Sequence, residues 1–204
     1  MAKIITIAHQ KGGVGKSTLA INLAICFQDQ LSVALVDTDL QGSLYHIRED
    51  FPDLAIIGAD RFQDIRQLDY DLIIVDTPPY LSSRLPELFL YSDFILVPTK
   101  AGFFDVMAIR STLALIKEAQ RNASHLKAGI VLNMVKPRSG ITREVAELLQ
   151  TMDTPLLNTR IHDRVSIARS SLTAGIFSGT DKKAKEEIMA LTEEVVEHIS
   201  AEIA

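Results

Sequence analysis

An α/β fold, a mostly parallel twisted sheet with helices on both faces, is predicted by three features of the 204-residue sequence. Apolar runs and helical patterns alternate along the whole chain, as they do when each strand returns to the sheet through a crossover helix. Several strand-like runs, such as Leu72-Ile73-Ile74-Val75, are apolar at every position, which suits strands covered on both sides. A glycine-rich stretch, Lys11-Gly12-Gly13-Val14-Gly15-Lys16-Ser17-Thr18, joins the β-branched run Ile4-Ile5-Thr6-Ile7-Ala8 to the helix-like Leu19-Ala20-Ile21-Asn22-Leu23-Ala24.

The pattern predicts strands at 3–8, 32–36, 54–57, 72–75, 94–97 and 128–132, with a short one near 156–157. Helices are expected at 16–28, 61–67, 85–91, 105–121, 142–151, 164–173 and 183–203. No repeat, low-complexity segment or long linker interrupts this order, so a single domain over residues 1–204 is expected.

Composition excludes several classes. Apolar residues make up 47% of the chain, enough for a sizeable core. No apolar run is long enough to span a bilayer, and Met1-Ala2-Lys3 leads directly into the first strand, so no signal peptide is expected. Cys26, the lone cysteine, sits among Ala24, Ile25 and Phe27. It is expected in the core of the first helix, excludes an intramolecular disulfide framework and suits a reducing cytoplasm. The net charge of −5 means that any contact with nucleic acid has to come from a local basic patch. His46, His125, His162 and His198 lack metal-ligand spacing and His9 precedes the glycine loop, so no histidine is assigned to a metal.

Strand, glycine-rich loop and helix form the context of a phosphate loop. The glycines Gly12, Gly13 and Gly15, with Val14 and Thr18, let backbone N–H groups approach an anion, and the helix start adds partial positive charge. Lys16 supplies a mobile charge for the β- and γ-phosphates, and the Ser17 hydroxyl is the expected Mg²⁺ ligand. The common form of this loop has a Gly where this chain has Gln10, and here a lysine, Lys11, stands immediately before the double glycine.

Two carboxylate-bearing stretches follow. Val36-Asp37-Thr38-Asp39-Leu40-Gln41-Gly42-Ser43 closes the second strand, and Ile73-Ile74-Val75-Asp76-Thr77-Pro78-Pro79 delivers Asp76 to the end of another. Parallel strands carry such residues to the edge where ligands bind. A capping turn is the bland reading of the first. Pro78 and Pro79 can continue neither strand nor helix, so a rigid loop is expected there.

With its deviant loop KGGVGKS and these two carboxylate stretches, the chain resembles the ParA/MinD family of P-loop ATPases, over essentially its whole length. The resemblance implies ATP and Mg²⁺ as cofactors and an ATP-sandwich homodimer in which Lys11 crosses to the other subunit's nucleotide. By the same match Asp39 would orient or activate the attacking water, with Lys11 and Lys16 as its catalytic companions. Asp37 and Asp76 would hold the hydrated Mg²⁺ together with Ser17. Leu40 departs from the family's usual proline in the first switch. Asn133, closing Ile130-Val131-Leu132, would read the adenine edge or else fix a turn. Asp105 is read as a helix-start residue, and Phe103 and Phe104 as core or dimer contacts.

Arg160, Arg164 and Arg169 surround a predicted strand-to-helix turn, and Lys182, Lys183 and Lys185 open the last helix. A solvated face is the ordinary reading of such a run; the resemblance implies nonspecific DNA binding through basic residues of this region. No aromatics interleave them, so base stacking is not suggested. The last helix carries Ile188, Leu191, Val195, Ile199 and Ile203 on one stripe and acidic residues elsewhere. That charge repels anionic lipid, so the helix is expected to dock on the core, and no membrane partner is expected.

The implied function is DNA partition by a cytoplasmic, nucleoid-associated ATPase, in the short form without an N-terminal DNA-reading domain. A centromere-binding ParB-like partner would stimulate its hydrolysis. Positioning of a non-DNA cargo, such as a protein compartment or chemoreceptor array, is the alternative. An amide- or ligase-type synthase would need a second substrate pocket, and a cluster-bearing reductase is excluded by the single cysteine.

Overall fold

A computed structural model describes residues 2–80 and 82–200. Its strands are β1 (Lys3–Ile7), β2 (Val33–Asp37), β3 (Ala55–Ile57), β4 (Leu72–Asp76), β5 (Phe94–Thr99), β6 (Lys127–Val135) and β7 (Leu156–His162). They form one seven-stranded sheet in the order β3-β2-β4-β1-β5-β6-β7, with every neighbouring pair parallel. The helices are α1 (Lys16–Gln28), α2 (Leu85–Tyr91), α3 (Phe103–Asn122), α4 (Gly140–Leu149), α5 (Val165–Arg169) and α6 (Lys182–Ser200).

Every residue of β2, β4 and β5 is buried, because helices cover both faces. On one face Leu19 and Leu23 of α1 and Ile188, Leu191 and Val195 of α6 pack against Ile5, Leu35 and Ile74. On the other, Phe89 of α2, Val106 and Ile116 of α3 and Leu149 of α4 meet Ile73, Ile95 and Ile130. Strands β2, β3 and β4 lie on one side of β1, and β5, β6 and β7 on the other. The order therefore reverses at β1, and a crevice opens at its carboxyl end, where the glycine loop begins. Pro98 sits inside β5 beside Val131, beyond the last residue of β1 that β5 pairs with, so its missing N–H leaves no ladder bond unmade on that side.

The structure revises several expected boundaries. β4 and β6 run on to Asp76 and Val135, which places Asp76 and Asn133 within strands. β7 is seven residues long, not two. The expected helix at 164–173 is only α5 followed by a 3₁₀ turn at Ser170–Leu172. The helix expected at 61–67 is a 3₁₀ segment, Ala59–Gln67, and a further one spans Tyr45–Asp50. Ile188, Leu191 and Val195 are buried and Ile199 packs against the same core, so α6 is docked as its stripe predicts; Ile203 lies outside the described residues. Cys26 is half-buried against this core.

Sequence periodicity missed β7 because its middle, Asn158-Thr159-Arg160, is polar and half exposed, and its pairing with β6 is irregular. Two carboxylates of α6 compensate for this outer edge. Glu194 accepts the backbone N–H groups of Asn158 (2.6 Å) and Thr159 (2.9 Å), and Glu187 accepts that of His162 (2.9 Å). An edge strand with unpaired donors invites another chain, and these acceptors close it. Burial works against ionisation of Glu194, but hydrogen bonds from Asn158 and Thr159 outweigh it and hold its carboxyl below the usual value of 4.5.

A carboxyl depressed by folding contributes stability above its unfolded value and loses it as pH falls through the folded one. Glu194→Gln should therefore cost about 1–2 kcal/mol at neutral pH. It should also flatten the fall of melting temperature between about pH 5 and about pH 3. Thermal melts over that range check this; parallel curves for both proteins would refute the assignment.

Candidate nucleotide site

The loop between β1 and α1 is shaped by two left-handed glycines, Gly13 (φ 69°) and Gly15 (φ 90°), the latter forming the N-cap of α1. A Cβ on Gly15 would stand 2.3 Å from Asn133 Nδ2, so only glycine fits where strand β6 presses on the loop. Asn133 Nδ2 donates to the Val14 carbonyl at 2.7 Å, and its Oδ1 accepts the Met134 N–H at 2.9 Å. This amide braces the phosphate loop, leaving one N–H for any ligand. Met134 itself is left-handed (φ 53°), a strained geometry for a residue with a side chain.

Lys16 is buried and reaches back to the Lys11 carbonyl at 3.4 Å. Burial lowers its amine pKa, opposed by Asp76 and Asp39. Ser17 Oγ donates to Asp76 Oδ2 at 2.5 Å. Asp76 is buried, its Oδ1 has no partner, and burial raises its pKa to about 7 against the Ser17 bond. An orphaned carboxylate oxygen beside a serine hydroxyl is the donor set of a hydrated Mg²⁺, so these residues fit the ion. Asp37 pairs with Asp76 in register, and its oxygens accept backbone N–H groups. Oδ1 accepts the Asp39 N–H, and Oδ2 accepts those of Leu44 and Tyr45. Asp37 thus shapes the backbone of the loop after β2. Asp39 is half-buried and its Oδ1 accepts the Gln41 N–H at 3.0 Å.

Lys11 is held at both ends within its own chain. Its N–H donates to His9 Nδ1 at 2.8 Å, and its Nζ meets Asp105 Oδ1 at 2.6 Å. Any contact with a second subunit's nucleotide requires this ion pair to open. Asp105 stands in the first turn of α3, as expected, but its carboxylate takes a lysine and makes no capping bond. His9 is buried, and burial followed by Lys16 lowers its pKa to about 4, so the ring is neutral at physiological pH. Around the loop, Leu40 (77% exposed), Tyr80, Phe103 and Phe104 (80%) stand out from the segments that follow β2, β4 and β5. The two phenylalanines are therefore not core residues; exposure leaves the contact reading.

Sequence reasoning missed two participants. His9 was legible only as a histidine without metal spacing. Lys100 Nζ lies 4.0 Å from the place of a Cβ on Gly13, yet nothing in the chain's local pattern marks it.

Of the basic residues assigned to DNA, Arg160, Arg169, Lys182 and Lys183 are exposed and make no side-chain hydrogen bond or ion pair among the described residues. The other two, Arg164 and Lys185, are less exposed and have partners within the chain. The Arg164 fork is bound to Glu187 at 2.7 Å and faces Asp181 at 3.9 Å, and Lys185 Nζ donates to the Phe177 carbonyl at 2.8 Å. Both charges are already engaged within the fold.

A left-handed glycine loop at a sheet switch point, a buried lysine, and a serine–aspartate pair define a P-loop nucleotide-binding protein. The chain belongs to the CobQ/CobB/MinD/ParA nucleotide binding domain family, whose model matches residues 5–174. It is similar to a protein from Halothiobacillus neapolitanus named "Maintenance of carboxysome distribution protein A", with 28% identity over 94% of this chain and 95% of the relative. A protein of the same name from Gloeobacter kilaueensis is 30% identical over 90% of this chain and 88% of the relative. Among solved structures, a Borrelia burgdorferi plasmid partition protein bound to AMPPNP superposes with a TM-score of 0.74 at 24% identity, covering 100% of both chains.

Gly15→Ala should lower ATP affinity by about 100-fold, because both the positive φ and the Asn133 contact forbid a side chain. Titration with a fluorescent ATP analogue measures it; near-normal affinity would show that the loop opens freely.

Proposed function

We propose that this protein is an Mg²⁺-dependent ATPase that closes into a dimer over two nucleotides, binds DNA nonspecifically in that state and releases it on hydrolysis. The observation carrying this reading is the placement of Lys11. It lies at the rim of the phosphate loop, engaged to Asp105 in its own chain, with exposed Leu40, Tyr80, Phe103 and Phe104 on the loops around it. Exposed aromatic and aliphatic side chains clustered in this way are enriched on surfaces that a second subunit covers.

Lys16 and the loop N–H groups would bind the β- and γ-phosphates, and the remaining N–H of Asn133 would reach the adenine. Mg²⁺ held at Ser17 and Asp76, with Asp37 supporting the loop beside it, would screen the phosphate charge. Asp39, half-buried at the same mouth and close enough to act on Lys16, would orient the attacking water. Lys11 would leave Asp105 for the partner's nucleotide. Arg160, Arg169, Lys182 and Lys183 would supply the DNA contacts, doubled on dimerisation and so strengthened by effective concentration.

Plasmid or chromosome DNA, held by a ParB-like centromere-binding protein, is the cargo under this reading, in the cytoplasm on the nucleoid. A protein compartment is the second reading. It is favoured by two relatives covered nearly end to end whose names refer to carboxysome distribution. Deletion of the gene separates them, since one cargo would raise DNA loss and the other would leave compartments clustered.

Lys16→Ala should abolish ATP binding. Asp39→Ala should keep ATP-dependent DNA co-sedimentation and slow partner-stimulated hydrolysis by about 100-fold or more. Lys11→Ala should remain a monomer on a sizing column with a non-cleavable ATP analogue and Mg²⁺. A dimer from Lys11→Ala, or wild-type hydrolysis from Asp39→Ala, would count against these roles.

A further inference from the structure

Asn22 lies in the second turn of α1 and is wholly buried. Its Nδ2 donates to the Thr18 carbonyl and to Ser170 Oγ, both at 2.7 Å, and its Oδ1 accepts the Ile176 N–H at 2.8 Å. One amide thus ties the helix that opens at the phosphate loop to a chain segment about 150 residues away. A buried amide is costly unless all its partners are met, and here they are.

The segment that it holds is strained. Ala174 (φ 51°) and Gly175 (φ 87°) are both left-handed, and a Cβ on Gly175 would stand 2.3 Å from Ile25 Cδ1 of α1. The turn is closed by the Gly175 N–H on the Ser170 carbonyl at 2.8 Å. Such a turn persists only where its surroundings over-determine it, and Asn22 supplies two of the bonds that do so. Arg169 immediately precedes Ser170 and is exposed. The other end of the segment is fastened to α6 by Lys185 on the Phe177 carbonyl, close to Lys182 and Lys183.

We infer that Asn22 is a positioning residue for DNA binding: it fixes the turn that follows Arg169 onto α1, so that Arg169 is held where it meets phosphates. This rests on the DNA-binding reading above. A cation whose turn has lost its clamp is displaced from the phosphate and releases no counterion there, whereas one on a clamped turn stays in place.

The test uses the full chain with a non-cleavable ATP analogue and Mg²⁺, comparing wild type, Asn22→Ala, Ser170→Ala and Arg169→Ala. DNA affinity is measured across a salt series, nucleotide affinity by titration, and the amides of 170–178 by hydrogen exchange. Asn22→Ala should speed exchange at Ile176 and keep nucleotide affinity within about threefold. It should reduce the salt slope by about 0.9 for each phosphate that Arg169 no longer neutralises. Arg169→Ala should reduce the slope equally, and the double variant Asn22→Ala/Arg169→Ala should add nothing further. Ser170→Ala removes one link and should move the slope in the same direction, which carries the test if Asn22→Ala fails to fold. A merely structural amide would lower the melting temperature and leave the slope of the folded protein unchanged; unchanged slopes overturn the inference. Wild type that ignores DNA at every nucleotide state overturns the DNA reading itself.

Discussion

Asp76 has to remain at the end of β4 as a buried carboxylate with one oxygen unpartnered, and the site is built around that constraint. Burial favours its neutral form, and only the Ser17 hydroxyl and Lys16 oppose this. A cation held here would stabilise its ionised form. The neighbouring strands are tied to the same spot. Thr38 donates its N–H and its hydroxyl to the Asp76 carbonyl, and the Thr77 hydroxyl donates to the Ile7 carbonyl. The carboxyl ends of β1, β2 and β4 are thereby locked together directly beneath the loop.

The loop itself is braced from both sides. Asn133 of β6 holds Val14, and His9 holds Lys11, so the backbone is preorganised before any ligand enters. Neutrality of His9 matters here, because a protonated Nδ1 could not accept the Lys11 N–H. Lys11 is thereby held against Asp105 at the rim of the loop. Under the proposed reading, exchanging Asp105 for a partner's phosphate would link nucleotide binding to subunit contact.

Far from the nucleotide, α6 combines three tasks. Its apolar stripe completes one core, its carboxylates close the outer edge of β7, and its first turn displays lysines. Glu187 shows the cost of this economy. By taking Arg164 and His162 together it orders the β7–α5 corner and engages the Arg164 charge. The exposed cations left over lie on separate segments, and Asn22 ties the one that follows Arg169 to α1.

Much of this was legible in the one-dimensional pattern. The run into Lys11–Thr18, the carboxylates Asp37, Asp39 and Asp76 at strand ends, and the apolar stripe of α6 are local signals, because strand, loop and helix each leave a periodicity or a spacing within a few residues. What the chain order could not reveal is which partners each side chain meets. The pairing of Lys11 with Asp105, the spending of Asn133 on Val14, the capture of Arg164 by Glu187 and the true length of β7 each join residues brought together only by the folded sheet. Sequence alone pointed to the family, the phosphate loop and a parallel sheet covered by helices on both faces. The tertiary structure decided which charges are free and which are already neutralised, since burial and ion pairing are properties of neighbours in space.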